Sequence, residues 1–152
     1  MPDPAKVRRL VFVCHGNICR SAFAEAVAAR LGMRTASFGL STDNDKPAHL
    51  PAAAAAAMLG YDMAAHRTTR AQDFMIEAGD LLLAMEVRQL GWLAADPRFA
   101  AVPRSLLGLW GKPSFPHLHD PYRLHEDYMR TCFTRIETAV TALSAAFPLT
   151  RV

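Results

Sequence analysis

The sequence predicts a three-layer α/β fold, a mostly parallel sheet of about four strands with helices on both faces. Two kinds of segment predict it. Short, nearly all-apolar runs stand at Val7 to Val13 and at Leu81 to Ala84, the pattern of strands covered on both faces. Stretches of good helix formers separate and follow these runs, and strand-helix alternation implies crossover units and parallel pairing. The chain has 152 residues, of which 51% are apolar. That is enough for one domain, 1–152, burying roughly 68–70% of its unfolded surface.

In chain order, Val7 to Val13 reads as a buried first strand running into a loop at Gly16 and Asn17. A helix is expected from Ser21, with Phe23, Val27 and Leu31 on one face and Gly32 as its stop. Thr35 to Phe38 is a short second strand. Gly39 to Pro51, rich in Gly, Pro, Asp and Asn, is a surface loop of the kind that often shapes a site. The alanine run Ala52 to Ala57 reads as a helix ended by Gly60, since alanine has the highest helix propensity. Ala71 to Ala78 is a further helical candidate. Glu86 to Ala95 is a helix, Arg104 to Leu109 a weaker strand, and 111–121 a loop with three prolines. In the last helix, Met129, Cys132, Phe133, Ile136, Val140 and Leu143 step by three and four along one stripe. Ligands of such sheets bind beyond the strand C-terminal ends, where the loop after Val13 lies.

Composition excludes several function classes. The formal charge is +3 and the pI about 9.0, but the basic residues form no run. This is mild attraction for anions and no nucleic-acid footprint. No segment approaches the roughly 20 apolar residues that span a bilayer. Met1-Pro2-Asp3-Pro4 also lacks the basic flank and apolar core of a signal peptide. A cytoplasmic location without a membrane partner is therefore expected. Three cysteines, an odd number, argue for reduced thiols over a disulfide framework. His117 and His119 alternate, but no third ligand accompanies them, so no metal and no cofactor is expected.

The chemistry concentrates in Val11-Phe12-Val13-Cys14-His15-Gly16-Asn17-Ile18-Cys19-Arg20-Ser21. A strand, a tight loop of small residues and a helix start together suit an oxyanion. Loop amides can point inward as a group, and the helix dipole adds positive potential. Residues His15 to Ser21 are thus the expected phosphate-binding cradle. Cys14 lies under those amides and near Arg20, a setting that favours a thiolate. The Arg20 fork can hold two phosphate oxygens at once.

The string Cys-x-Gly-Asn-Ile-Cys-Arg-Ser after a Val-Phe-Val strand, with Asp120-Pro121-Tyr122 late in the chain, resembles the low-molecular-weight protein tyrosine phosphatases over about residues 7–146. The resemblance implies a Rossmann-like domain that hydrolyses phosphotyrosine on a protein substrate through a phosphocysteine intermediate and releases inorganic phosphate. Cys14 would be the nucleophile, Arg20 the clamp and Asp120 the general acid and later base. Pro121 restricts the backbone of Asp120, and Tyr122, with His15, would line the substrate pocket. Asn17 and Ser21 resemble the residues that stiffen the loop and hydrogen-bond the thiolate, with Ser37 and His66 as supporting partners. Cys19 could trap an oxidised Cys14 as a disulfide or simply pack. Cys132, on the apolar stripe, is core.

The chain departs from the family pattern in three places: Ala22 replaces a usual proline, residues 39–44 lack a wall aromatic, and His15 replaces an apolar or small residue. Three other functions share the cradle. An arsenate reductase needs shuttle cysteines, and none occurs between Cys19 and Cys132. Protein-arginine phosphatases tend to carry threonine where this chain has Ile18, whose apolar side chain favours an aryl phosphate. A non-catalytic phosphate-binding module would keep the loop without turnover.

Overall fold

The computed structural model describes residues 2–122 and 124–152. Four strands, β1 (Arg9–Cys14), β2 (Thr35–Gly39), β3 (Asp80–Ala84) and β4 (Arg104–Leu106), form one sheet in the order β2-β1-β3-β4. Every pairing is parallel, with Phe12 opposite Ser37 on one side and Leu83 on the other. The α/β class expected from the sequence is the class observed. Four α-helices, α1 (Arg20–Arg30), α2 (Leu50–Met58), α3 (Val87–Ala95) and α4 (Glu126–Ala146), complete the layers.

The alternation of β1 divides the core in two. Leu10, Phe12 and Cys14 point to one face, where α1, α2 and α4 cover them. Val11 and Val13 point to the other, beneath Phe38, Leu93 and Phe99, as the two-residue period of a strand dictates. Phe23 of α1 stacks on Phe133 of α4 with ring centroids 4.0 Å apart and meets Tyr61 edge-on at 5.3 Å. This aromatic cluster anchors the helix that follows the phosphate loop. Strand order reverses at β1, so the crevice at its C-terminal end, next to β3, is the switch point of the sheet.

Two expectations need correction. Ala71 to Ala78 is not a helix: only Ala71–Asp73 make one 3₁₀ turn, and the chain is extended from Phe74. Tertiary partners outweigh propensity there. Phe74 packs on Phe38 with centroids 4.6 Å apart, Arg9 Nη2 donates to the Met75 carbonyl, and Glu77 N donates to Asp80 Oδ2. The backbone thus finds partners that a helix would deny it. The fourth strand also stops at Leu106, and Leu107–Trp110 turn into a 3₁₀ helix. Leu106 belongs to one core half and Leu107 to the other, so the chain crosses the sheet edge at that point.

Candidate active site

Residues 15–19 link β1 to α1 across the switch point. Asn17 takes a left-handed backbone with φ 57°, a conformation that asparagine tolerates better than most residues. The turn brings its amide over the sulfur, 3.3 Å from Cys14 Sγ. Among the described residues, the amides of Gly16, Ile18 and Cys19 donate to no carbonyl or side chain. They are the inward-facing donors of an oxyanion cradle.

Directional hydrogen bonds hold this loop. Thr69 N donates to Asn17 Oδ1 at 2.9 Å, which fixes the amide so that Nδ2 donates to Ser21 Oγ at 2.8 Å and to Ser37 Oγ at 2.9 Å. Ser21 Oγ therefore accepts one bond and has its own hydrogen available for Cys14 Sγ, 2.9 Å away. Ser37 likewise directs its hydroxyl hydrogen to Glu25 Oε1 at 2.7 Å. His66 Nε2 lies 2.6 Å from the Asn17 carbonyl, which can only accept, so this nitrogen carries the proton. The chain of bonds runs from a carboxylate on α1 to the sulfur at the end of β1.

Arg20 is buried at 2% exposure. Such a charge is tolerable only when paired. Its Nη1 donates to Glu86 Oε1 at 2.7 Å and to the Leu118 carbonyl at 2.6 Å, and its Nη2 lies 3.7 Å from Asp120 Oδ2. Burial works against the guanidinium charge, but Cys14, Asp120 and Glu86 outweigh it and raise Arg20 above its ordinary value. Burial likewise pushes the Glu86 carboxyl up, yet the bond and charge of Arg20, with Arg88 outside, hold it below the usual carboxylate range. Leu118 N donates to the Met85 carbonyl at 2.9 Å. Residue 118 is thus fastened between the end of β3 and Arg20, two positions before Asp120.

Cys14, His15, Gly16, Ile18, Cys19 and Arg20 share one cavity of about 230 Å³ with Asp120 and Tyr122. Tyr122 meets His49 with ring centroids 4.7 Å apart, and its amide donates to Asp120 Oδ1 at 3.0 Å. His15 is exposed and faces Trp92 of α3 at 6.5 Å. Ser37 and His66 stand behind the loop, not in the cavity. Cys19 Sγ donates to Met129 Sδ at 3.5 Å, and burial raises its pKa, reinforced by Cys132 and Cys14. Burial also raises Cys132, to about 12. Both are thus kept as thiols, poor attackers at neutral pH. His117 and His119 are exposed, and among the described residues no group of three His, Cys, Asp or Glu could hold a metal ion.

Three residues around the site carried no such role in the sequence reading. Glu86 stood there only as the first residue of a helix, and only the fold brings it to Arg20. Glu25 had one usable signal, its place four residues after Ser21 on the same helix face. Lys46 lines the cavity but sits in a loop without a readable pattern.

A thiol under amides, capped by a paired guanidinium and overhung by a carboxyl group, defines an α/β domain built to hold a tetrahedral oxyanion against sulfur. A family model described as low molecular weight phosphotyrosine protein phosphatase matches residues 9–150. The low molecular weight protein-tyrosine-phosphatase Wzb of Salmonella typhi is 31% identical over 132 residues, 85% of this chain and 87% of that protein. Etp of Escherichia coli (strain K12), of the same description, is 29% identical over 136 residues, covering 88% and 90%. Among solved structures, the tyrosine phosphatase Wzb from Escherichia coli K30 with sulphate superposes with a TM-score of 0.79 at 26% identity, over 91% of this chain and 97% of that one. The YwlE arginine phosphatase from Geobacillus stearothermophilus reaches 0.81 at 23% identity over 91% of each chain, a likeness of fold alone. The chain belongs to the low molecular weight phosphotyrosine protein phosphatase family.

Proposed function

We propose that this protein hydrolyses phosphotyrosine on proteins, within one domain and in the cytoplasm, by two in-line displacements. One observation carries the reading: Cys14, Arg20 and Asp120 line a single cavity, with the Arg20 guanidinium 3.7 Å from the Asp120 carboxylate. In the first step the Cys14 thiolate attacks phosphorus, the phosphorus–oxygen ester bond breaks, and Asp120 gives its proton to the departing phenol. In the second, the Asp120 carboxylate takes a proton from water. The water oxygen then attacks phosphorus, the phosphorus–sulfur bond breaks, and inorganic phosphate leaves. Ser21 donates to the sulfur as the leaving thiolate, and Arg20 with the loop amides bears the charge of the equatorial oxygens.

No step calls for a cofactor. The apolar Ile18 and the ring of Tyr122 in the cavity wall support an aryl leaving group over a guanidino one. The cysteines Cys14, Cys19 and Cys132 are all free, which supports a reducing compartment.

Hydrolysis of p-nitrophenyl phosphate by wild type, Cys14→Ser and Asp120→Asn tests the reading. Cys14→Ser is expected to abolish turnover, and Asp120→Asn to slow it on the order of 10²–10⁴-fold. Wild-type inactivity across pH 5–7, with phosphate still bound, would replace the enzyme by a binding module. A higher kcat/KM for phosphoarginine than for phosphotyrosine would move the substrate class.

A further inference from the structure

The wall of the cavity that carries no aromatic residue is built from Ser41, Thr42 and Lys46. The Lys46 backbone is fixed, although it lies in a ten-residue connection between β2 and α2. Its amide donates to Thr68 Oγ1 at 2.9 Å, and Thr68 N donates back to its carbonyl at 2.8 Å. Asp45 N donates to the Thr68 carbonyl at 2.9 Å, and Thr68 Oγ1 donates to the Asp43 carbonyl at 2.6 Å. Thr68 is itself 2% exposed, so this clasp is anchored in the body of the protein. A loop pinned in this way fixes the point from which the Lys46 side chain reaches the cavity.

Among the described residues, the Lys46 ammonium pairs within 4 Å with one acid, Asp43 at 3.6 Å, and both side chains are more than half exposed. Exposed pairs of this spacing exchange readily, so an acidic side chain on the substrate can take the place of Asp43. Asp120 in the cavity wall and Glu86 on the other side of the guanidinium both face Arg20. Lys46 therefore adds a positive charge at the pocket mouth that the phosphate clamp does not use. A phosphoryl group held by Arg20 and the loop amides would leave Lys46 beside whatever flanks the phosphorylated residue.

We propose that Lys46 selects phosphotyrosines with an acidic side chain next to them in the sequence. The proposal rests on the phosphotyrosine reading above and deepens it by naming the substrate class. Two unit charges about 4 Å apart in water attract by an amount equal to at most about a fivefold change in kcat/KM, and salt screens it.

The test compares two phosphotyrosine peptides that differ only in Glu against Gln beside the phosphotyrosine, at about 50 mM and about 1 M salt. Wild type is expected to prefer the Glu peptide by up to about fivefold at low salt and to lose the preference at high salt. Lys46→Gln brings the ratio of the two kcat/KM values near one, and Lys46→Glu inverts it. Equal values for both peptides in wild type, or an undiminished ratio in Lys46→Gln, overturns the selectivity. If wild type still turns over p-nitrophenyl phosphate in that case, the phosphatase reading stands. If it turns over none of the three compounds, both fall together.

Discussion

Replacing Glu86 by Gln separates the charge that steadies Arg20 from the shape that holds it. Arg20 is buried and meets Glu86 at 2.7 Å through Nη1, and the Glu86 side chain is 15% exposed. Removing one member of a fully buried ion pair costs about 3–5 kcal/mol. Here the loss is smaller, because Arg20 keeps the Leu118 carbonyl and Asp120, and a glutamine oxygen can still accept from Nη1. About 2 kcal/mol is expected at neutral pH, which for a chain of this length lowers Tm by about 4–8 °C. Glu86→Ala is expected to cost more, since it also removes the side chain that caps the start of α3. The sign of the pH dependence follows from the depressed carboxyl. Its contribution is complete above the unfolded value of about 4.3 and disappears as pH falls through the lower folded value. Thermal melts of wild type and Glu86→Gln from pH 7 to pH 3 should therefore converge at the acid end. Equal Tm at pH 7, or a gap that persists unchanged below pH ~4, would refute the coupling. In the same variant the loosened guanidinium should weaken inhibition by inorganic phosphate on the order of tenfold, equivalent to about 1.4 kcal/mol.

Two further substitutions probe the loop that carries Cys14. A Cβ on Gly39 would stand 2.7 Å from Thr42 Cγ2, 3.0 Å from Asn17 Cβ and 3.0 Å from the His15 carbonyl. Thr42 can move aside, but the other two belong to the phosphate loop, so Gly39→Ala should cost about 1–3 kcal/mol and lower kcat/KM. Chemical denaturation and steady-state kinetics would show both effects, and an unchanged kcat/KM would place the strain elsewhere. Asn17→Ala removes three side-chain hydrogen bonds at a buried position, for an expected loss of about 2–3 kcal/mol and a fall in kcat. Asn17→Gly accepts the positive φ without strain. If glycine restored kcat, the backbone turn and not the bonded network would be what the asparagine supplies.

How much of the molecule was legible depended on whether a feature lies in one contiguous stretch. The β1 and β3 strands announced themselves because a strand covered on both faces is apolar at every position, and all five residues of β3 are indeed buried. The α4 stripe was equally plain, since Met129, Cys132, Phe133, Ile136, Val140 and Leu143 are all buried on one face. Ala71 to Ala78 misled for the opposite reason. Its composition favours a helix, but Phe74 is drawn to Phe38 and the backbone is claimed by Arg9 and Asp80. Phe38 and Arg9 are far away in the chain, and propensity cannot weigh them.

The same division runs through the site. Cys14 to Ser21 form one uninterrupted string, so sequence alone could assign them to one cradle. The acids that orient that cradle come from elsewhere and carry no local mark. Glu86 follows β3, and its value lies wholly in meeting a guanidinium 66 positions earlier. Glu25 looks like an ordinary solvated helix residue until Ser37, brought alongside by β2, hands it a hydrogen bond. Lys46 is the sharpest instance. The missing aromatic in residues 39–44 registered only as a loss, because nothing in the sequence shows that Thr68 clasps the next residues against the pocket. Once Thr68 holds Asp45 and Lys46 in place, the loss reads as an exchange of a ring for a charge. Such a wall discriminates among peptides by their acidic neighbours, while Ile18 and Tyr122 remain to meet the tyrosine ring.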